Sequence, residues 1–405
     1  MNHGTEAKQE LHAVIESLRA FHPIRNQVLQ WVVRVLPLGI IAFVLIDALV
    51  TRRYVTDNPM FLTGLLTAAL AAFLFQMLLD QVPETLHTLW TRAVLKPVSA
   101  TAAVQGRLIR LLNQMFGRLT GSHRQHRVRL ETDGEIVACY RAFVTHFADD
   151  LNHRASWALG LFFAVIMYVS FSFRMELGWN PNWMGQMLSR YGRLPLFGSL
   201  AQVATAYVLG LLVWRMMVIA WKVYRVGQVF DFAIQVQHPD RSGGLKPLGD
   251  LCLSNALIIT VPSIFLAGWI IVIITPQLGF GRYLEWVAFY RVLLLVMSLL
   301  AFLAFFQPLY GVHRGMVRQR LQIRCQLDKL SRQIDELAQR LLKEAELLTL
   351  DQREQLQKDL NLLRQVYDSN SYIPVWPFDK KIMLKFISSQ TIPLLTLTAK
   401  ALGIG

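Results

Sequence analysis

The sequence predicts an all-α, polytopic membrane protein with about six transmembrane helices, both termini in the cytoplasm, and a cytoplasmic helical hairpin. Three observations lead to this prediction: six long apolar runs, an uneven distribution of basic residues, and a heptad-like pattern after the last run. The chain has 405 residues, of which 54% are hydrophobic and only 17% are charged. A soluble protein of this length would spread its apolar residues over several cores rather than concentrate them in blocks.

The six apolar runs are the strongest signal in the chain. Each has about 18–24 residues, the length that an α-helix needs to cross about 30 Å of hydrocarbon. Because lipid offers the backbone no hydrogen-bond partners, such runs form helices rather than open strands. They cover residues 32–50, 61–79, 156–173, 198–220, 252–275 and 286–306.

Basic residues are distributed unevenly around these runs. Of the 41 Lys and Arg residues, 32 lie before the first run, in 80–155, in 221–251 or after 306. Because cytoplasmic segments carry the excess of Lys and Arg, this predicts that both termini lie in the cytoplasm. A net charge of +14 is also typical of proteins that bind nucleic acid. The placement of the basic residues on the cytoplasmic side of the membrane already accounts for this charge, so a nucleic-acid partner is not favoured. The predicted partner is the lipid bilayer, and the predicted location is the cell inner (plasma) membrane.

The pattern divides the chain into six parts. They are an N-terminal cytoplasmic amphipathic helix (1–31), transmembrane helices 1–2 (32–79), a cytoplasmic helical segment (80–155), transmembrane helices 3–6 (156–306) with an inner loop (221–251), a coiled-coil-like hairpin (307–371), and a membrane-associated aromatic and apolar segment (372–405). We expect Pro308 to end the sixth helix, because proline interrupts helical hydrogen bonding.

The hairpin is predicted from apolar residues at alternating spacings of four and three, which form the a/d seam of a coiled coil. Thr349 and Gln352 then resemble a capping box that begins a second helix. We favour two helices folded on each other; the alternative is a coiled coil that joins a homo-oligomer or a protein partner through 312–367. The seam residues are Ile323, Leu327, Leu330, Ile334, Leu337 and Leu341 in the first helix, and Leu356, Leu360, Leu363 and Tyr367 in the second.

The C-terminal segment is predicted to associate with the membrane. Pro374 and Pro377 require extended backbone, and Trp376 suits the headgroup zone. For residues 380–399 we favour a helix that lies on the membrane surface. The alternative is a helix that enters the membrane, buried by other protein segments, because its Lys, Ser, Gln and Pro residues do not suit lipid.

One cluster has the residue types of a metal site. His146, Asp149, Asp150 and His153 have helical spacing, and His and carboxylate groups are common metal ligands. The favoured interpretation is a solvated helix face, so these four are weak metal candidates. No cofactor is predicted, and the cysteines Cys139, Cys252 and Cys325 are too far apart in sequence to suggest a metal site or disulfide framework.

The loop after the fourth run is the first choice for a functional element. Gly243 and Gly244 allow positive φ, and Asp240 can accept backbone hydrogen bonds. A structural turn is favoured, and a gating or ligand contact by His238, Asp240, Arg241, Gly243 and Gly244 is the alternative. The tetrapeptide His-Pro-Asp-Arg at 238–241 also occurs in J-domain co-chaperones, but the soluble helices that such a domain needs are not predicted here, which excludes that family.

Charged residues inside the runs are few. Asp47 and Arg291 are expected at similar depths, about 8–9 Å from the midplane, where they form a possible intramembrane ion pair. Arg34 and Arg215 lie near the inner ends of their runs, so we expect their side chains to reach water.

No catalytic motif is found, so the sequence does not predict an enzyme. The functional prediction is a channel-like or pore-forming oligomer for ion transport, controlled by its cytoplasmic part. The alternatives are a membrane-anchored sensor or scaffold that presents the helical hairpin to a protein partner, and a secondary transporter.

Overall fold

The structure is a computed structural model that describes residues 27–50, 59–92, 94–97, 133–174, 178–179, 194–236, 238–275, 284, 287–343, 349–369 and 373–398. These residues are mostly helical, as predicted. The predicted amphipathic helix within 1–31 falls almost entirely outside the described residues, and so does the middle of the predicted cytoplasmic segment (80–155), residues 98–132.

Nine helices and two short antiparallel ribbons make up this part of the chain. The helices are α1 (Gln27–Val50), α2 (Pro59–Thr91), α3 (Asp133–Leu151), α4 (Ala155–Ser172), α5 (Leu194–Val229), α6 (Lys246–Ile274), α7 (Val287–Lys343), α8 (Leu350–Ser369) and α9 (Lys380–Thr398). The strands are β1 (Leu95–Pro97), which pairs with β4 (Phe230–Phe232), and β2 (Phe173–Arg174), which pairs with β3 (Gly178–Trp179).

Four of the helices are long and apolar enough to cross a membrane. Their candidate spans are Thr63–Thr91 in α2, Val203–Val229 in α5, Lys246–Ile274 in α6, and Val287–Lys343, which is the whole of α7. The fold therefore has the composition of a multi-pass membrane protein. Helices α1 and α4 coincide with the first and third predicted runs, but a total of six spans stays a prediction.

Helix α5 is the centre of the bundle, with α2, α3, α4 and α7 packed around it. Two pairs of glycines let its backbone approach its neighbours closely. A Cβ atom on Gly210 would lie 2.7 Å from the carbonyl oxygen of Leu159 and 2.8 Å from the Cα of Gly160. A Cβ atom on Gly227 would likewise collide with the backbone of Gly311. Small residues at helix crossings are typical of membrane bundles, in which close packing replaces the hydrophobic effect between helices.

Helix α7 is continuous from Val287 to Lys343, so the prediction that Pro308 ends the sixth helix is wrong. A proline inside a helix costs about 3 kcal/mol. The neighbouring side chains of Phe305, Leu309 and Val312 are fully buried. Burial of side chains of this size gains about 1.5–3 kcal/mol each, which outweighs the cost of the proline.

Helix α8 folds back against α7 in a hairpin. The six predicted seam residues of α7 are half-buried, whereas most of their neighbours are exposed. Leu360 of α8 is buried between the helices. The amide of Thr349 donates a hydrogen bond to Gln352 Oε1 over 3.2 Å, so the capping interaction predicted for the start of α8 is confirmed.

Helix α9 packs against α6 and α7. Its buried face contains Ile382, Phe386 and Gln390, and Gln390 Nε2 donates a hydrogen bond to Thr260 Oγ1 over 2.7 Å. Thr260 lies near the middle of the candidate span of α6. This position favours the alternative prediction, a helix buried by protein, over a helix that lies on the lipid surface.

Candidate functional site: the helix junction

The ends of four helices, α2, α5, α6 and α9, meet the middle of α7 at one place, which we call the junction. It consists of the β1–β4 ribbon, the loop from residue 233 to 245, the part of α7 from 305 to 318, and the extended segment from 373 to 379, which we call the strap. The junction contains the loop that was the first choice for a functional element.

The ribbon joins the end of α2 to the end of α5. Leu95 pairs with Phe232 and Pro97 pairs with Phe230. Both phenylalanines are fully buried, and the amide of Ala233 donates to the carbonyl of Val94 over 2.7 Å. Burial of the aromatic rings therefore holds this short ribbon in place.

Asp240 organises the loop through its carboxylate. Its Oδ1 accepts hydrogen bonds from the amides of Ser242 and Gly244 over 2.9 and 3.1 Å, which is the geometry of an Asx turn. Its Oδ2 lies 3.1 Å from Arg92 Nη1, and His238 Nδ1 lies 2.9 Å from Oδ1. Partial burial acts to raise the pKa of Asp240, but the two amides and His238 outweigh it, so this pKa lies below its usual value.

The predicted glycines occupy the positions that require them. Gly243 and Gly244 have φ of 67° and 88°, and Arg241 also has a positive φ, 55°. The carbonyl of Gly244 accepts a second hydrogen bond from Arg92 Nη1 over 3.1 Å. The loop is thus a hydrogen-bonded connection between α2 and α6, which agrees with the favoured interpretation of a structural turn.

The strap closes the other side of the junction. The ring of Trp376 stacks on His313 of α7 with centroids 4.0 Å apart, and His313 Nδ1 lies 2.7 Å from the carbonyl oxygen of Val375. Pro374 approaches Gly243 of the loop. Trp376 is half-buried and packs on the protein, and its position in the headgroup zone stays a prediction.

Asp379 ends the strap and begins α9. Its Oδ1 accepts a hydrogen bond from the amide of Ile382 over 2.9 Å, so it is the N-cap of the helix. Its Oδ2 pairs with Lys246 of α6 over 3.2 Å. Slight burial acts to raise the pKa of Asp379, but the amide of Ile382 and the ammonium of Lys246 outweigh it and hold this pKa below its usual value.

The four metal candidates do not form one site. His146 and Asp149 are exposed, whereas Asp150 is buried. His153 Nδ1 accepts a hydrogen bond from the amide of Ala155 over 3.2 Å at the start of α4. Within the described ranges, no group of three or more His, Cys, Asp or Glu residues has the arrangement of a metal site.

Asp150 instead forms a buried salt bridge with Lys222 of α5. Lys222 is only 2% exposed, and its Nζ lies over the ring of Phe143 at 5.9 Å. The carbonyl of Asp150 accepts a hydrogen bond from the Trp214 indole over 3.1 Å. Asp150 follows Phe143 by seven residues, so both project from one helix face. That spacing could have revealed that Asp150 lies on the apolar face rather than the solvated one.

The predictions for the charged residues inside the apolar runs differ in how they compare with the structure. The side chain of Asp47 lies outside the described residues, so its pairing with Arg291 stays a prediction. Arg34 is exposed. Arg215 does not reach water, because its side chain is only 1% exposed. The expectation that Arg215 extends to the membrane surface is therefore wrong.

The junction and the bundle contain polar contacts that connect helices. Searches for similar proteins do not identify a family: no family model, no curated protein and no solved structure matches the chain.

Proposed function

We propose that the protein is a channel-like membrane oligomer whose conductance is controlled by its cytoplasmic hairpin. The observation that carries this proposal is the continuity of α7, which contains most of the sixth apolar run (286–306) and continues into the hairpin without a break. Its 57 residues give a rod about 85 Å long at 1.5 Å per residue. A displacement of the hairpin therefore reaches the spanning helices through one continuous helix.

The position of α9 supports the same proposal. Its hydroxyl groups bond to carbonyls of the same helix, which lowers the cost of placing them in apolar surroundings. The donors are Ser388, Ser389, Thr391, Thr396 and Thr398. On the outer face, Leu384, Ile387 and Leu395 are exposed in the single chain. We infer that α9 extends into the membrane beside α6, and that lipid or another copy of the chain covers this face.

The remaining elements of the proposal come from the sequence. Six spans, both termini in the cytoplasm and a location in the inner membrane follow from the apolar runs and the bias of Lys and Arg. An oligomer is proposed because the described helices of one chain pack closely around α5, so a conducting path requires more than one copy.

Ion flux from proteoliposomes tests this function. The full-length protein is reconstituted, and flux is measured under an imposed voltage for the wild type and for a Leu330→Glu, Leu337→Glu variant. Both leucines belong to the half-buried seam, so two carboxylates in this seam should separate α8 from α7 and change the flux severalfold. A Gln333→Glu, Gln339→Glu variant has the same added charge at exposed positions and should conduct like the wild type. Absence of flux in all three proteins would contradict the proposal.

A scaffold function is the second candidate, and one feature of α8 favours it. Leu362 and Val366 are 60% and 42% exposed and are one turn apart, outside the seam. An apolar pair on the outer face of the hairpin suits a protein partner or a second copy. If no flux is found and a Leu362→Glu, Val366→Glu variant loses the oligomeric state that the wild type has in detergent, the scaffold explanation replaces the channel.

A further inference from the structure

Arginine and aromatic side chains lie together on one surface where α5 and α7 cross. We call this surface the basic patch, and it consists of Trp221, Tyr224 and Arg225 of α5 and Tyr310 and Arg314 of α7. The guanidinium of Arg225 lies over the ring of Trp221 at 5.7 Å, and that of Arg314 lies over the ring of Tyr310 at 4.9 Å. Cation–π contacts of this kind hold the two cations in defined positions.

Tyr224 joins the two halves of the basic patch. Its ring stacks on Trp221 with centroids 5.9 Å apart. It also lies against α7, because a Cβ atom on Gly311 would be 2.8 Å from Tyr224 Cδ2. Tyr310 and Arg314 are close enough to Tyr224 to interact with it electrostatically. The residues of the two helices therefore form one continuous surface.

The hydroxyl of Tyr224 is a buried donor without a partner. Tyr224 is only 5% exposed, and the side chain of Gln228 lies near its hydroxyl but not in hydrogen-bond geometry. Arg314 is exposed, and no ion pair found between described residues includes it. An unused hydroxyl and a cation without a carboxylate partner thus lie close together, which is an arrangement that suits a phosphate group.

In the proposed orientation, the basic patch lies at the level of the cytoplasmic headgroups. The fourth apolar run ends at residue 220 and the sixth at residue 306, and both ends face the cytoplasm. Tyr224 and Tyr310 are each about 6 Å beyond these ends at 1.5 Å per residue. The headgroup layer is about 5–8 Å thick on each side of the hydrocarbon, and it is the layer in which Trp and Tyr are enriched.

Exposed apolar side chains adjoin the basic patch on the side of the bilayer. Met217 precedes Trp221 by one helical turn on α5, and Leu303 precedes Tyr310 by two turns on α7, so each shares a helix face with a residue of the patch. Both Met217 and Leu303 are exposed. A molecule that covers the whole surface needs an anionic group next to an apolar chain, and a phospholipid has both.

We propose that the basic patch binds the headgroup phosphate of an anionic phospholipid from the cytoplasmic leaflet. The phosphate accepts hydrogen bonds from the Tyr224 hydroxyl and the Arg314 guanidinium, and Arg225 adds a second positive charge. Basic sites between transmembrane helices on the cytoplasmic side are typical positions for anionic lipids. The lipid would connect α5 with α7 beside the glycine crossing. This inference rests on the proposed membrane location and orientation but not on conduction.

Binding is tested without reference to transport. The melting temperature of the full-length protein in a non-ionic detergent is measured with added phosphatidylglycerol and with added phosphatidylcholine at equal concentrations. A ligand that binds only the folded state stabilises it by an amount that increases with the logarithm of its concentration over Kd. We expect phosphatidylglycerol to raise the melting temperature by about 2 °C more than phosphatidylcholine at roughly tenfold excess over Kd. Equal values with the two lipids would overturn the proposal.

Soluble phosphates distinguish a lipid from a free phosphate ester. Glycerol 3-phosphate and inorganic phosphate have the same anionic group but no acyl chains. At the same concentration as the lipid, both should leave the melting temperature unchanged, because the chains hold the lipid at the patch. A shift as large as that with phosphatidylglycerol would overturn the lipid and identify a soluble phosphate as the ligand.

Two matched pairs of variants assign the effect to the basic patch. Tyr224→Phe keeps the ring that packs on Gly311, so it is expected to fold, and it should weaken phosphatidylglycerol binding about tenfold by the loss of one hydrogen bond to a charged group. Tyr367→Phe, at an exposed position of α8, should not. Arg314→Gln should weaken binding at least as much as Tyr224→Phe. Arg324→Gln removes an exposed arginine about 15 Å further along α7 and should bind like the wild type. A lipid effect that survives both Tyr224→Phe and Arg314→Gln would overturn the proposal, because the lipid would then bind elsewhere.

The flux assay and the lipid assay separate the two proposals. A protein that conducts but melts at the same temperature with both lipids would refute the lipid site and leave the channel. Absence of flux together with an Arg314-dependent shift by phosphatidylglycerol would refute the channel and leave the lipid site.

Discussion

The bundle around α5 and the hairpin formed by α7 and α8 are built in different ways. In the bundle, glycine crossings, fully buried aromatic rings and a buried salt bridge hold the helices together. In the hairpin, no residue of α7 beyond Met316 is buried, and Leu360 is the one buried residue of α8. A region held by one half-buried seam changes position at a lower cost in free energy than a close-packed one. We therefore expect the hairpin to move and the bundle to respond.

We propose that the junction transmits such a movement. The strap contacts α7 through His313, the loop through Pro374, and α6 through Asp379 and Lys246. A shift of α7 at His313 therefore acts on the start of α9 and on the start of α6 together. The loop was predicted to be a structural turn or, alternatively, a gating contact. Its contact with the strap is compatible with both interpretations.

The largest expected effect comes from breaking the buried salt bridge of the bundle. Lys222→Met leaves the carboxylate of Asp150 buried without its partner, which should cost about 3–5 kcal/mol of folding free energy. The double variant Lys222→Met, Asp150→Leu removes both charges and should recover most of that loss. Chemical unfolding of the purified protein in detergent measures both. If the double variant is as unstable as the single one, the salt bridge stabilises the fold through packing or hydrogen bonds as well as through neutralisation of the two charges.

The glycine crossing should be nearly as sensitive. Gly227→Ala places a methyl group against the backbone of Gly311, and overpacking of this kind costs about 1–3 kcal/mol. Gly268 on α6 has open space around the position of a Cβ, so Gly268→Ala should be neutral or slightly stabilising, because alanine favours the helix. Thermal unfolding of the two variants tests the packing directly. If both substitutions have the same effect, α5 and α7 are not in contact at this point.

In the hairpin, loss of a buried side chain should have a local effect. Leu360→Ala should destabilise the packing of α8 on α7 by about 2 kcal/mol and leave the melting temperature of the bundle unchanged. Hydrogen exchange that is resolved by peptide should show faster exchange in 350–369 and no change in α5. Faster exchange throughout the protein would show that the hairpin and the bundle unfold as one unit. That result would contradict the difference in stability that we expect between the two regions.

Residue patterns predicted the parts of the fold that depend on composition and local spacing. The apolar runs predicted helices, the seam predicted the pairing of α8 with α7, and Thr349 and Gln352 predicted the start of α8. Local rules failed where tertiary burial outweighs them: at Pro308, which packing keeps helical, and at Arg215, which neighbouring helices enclose. Contacts between residues far apart in sequence, such as Lys222 with Asp150 or Gln390 with Thr260, have no local signature.

The smallest effect is expected at the junction loop, and it depends on pH. Because the folded pKa of Asp240 is below its usual value, the carboxylate contributes stability that is full above the unfolded pKa, about 3.9, and is lost as the pH falls through the folded pKa. Asp240→Asn should therefore cost about 1–2 kcal/mol at pH 7, and the difference from the wild type should shrink as the pH falls below about 4. Unfolding curves from pH 7 to pH 3 measure this. Asp351→Asn, an exposed residue in the first turn of α8, is the control and should cost less than about 0.5 kcal/mol. A difference for Asp240→Asn that stays constant down to pH 3 would show that the amide and carboxylate differ in packing rather than in charge.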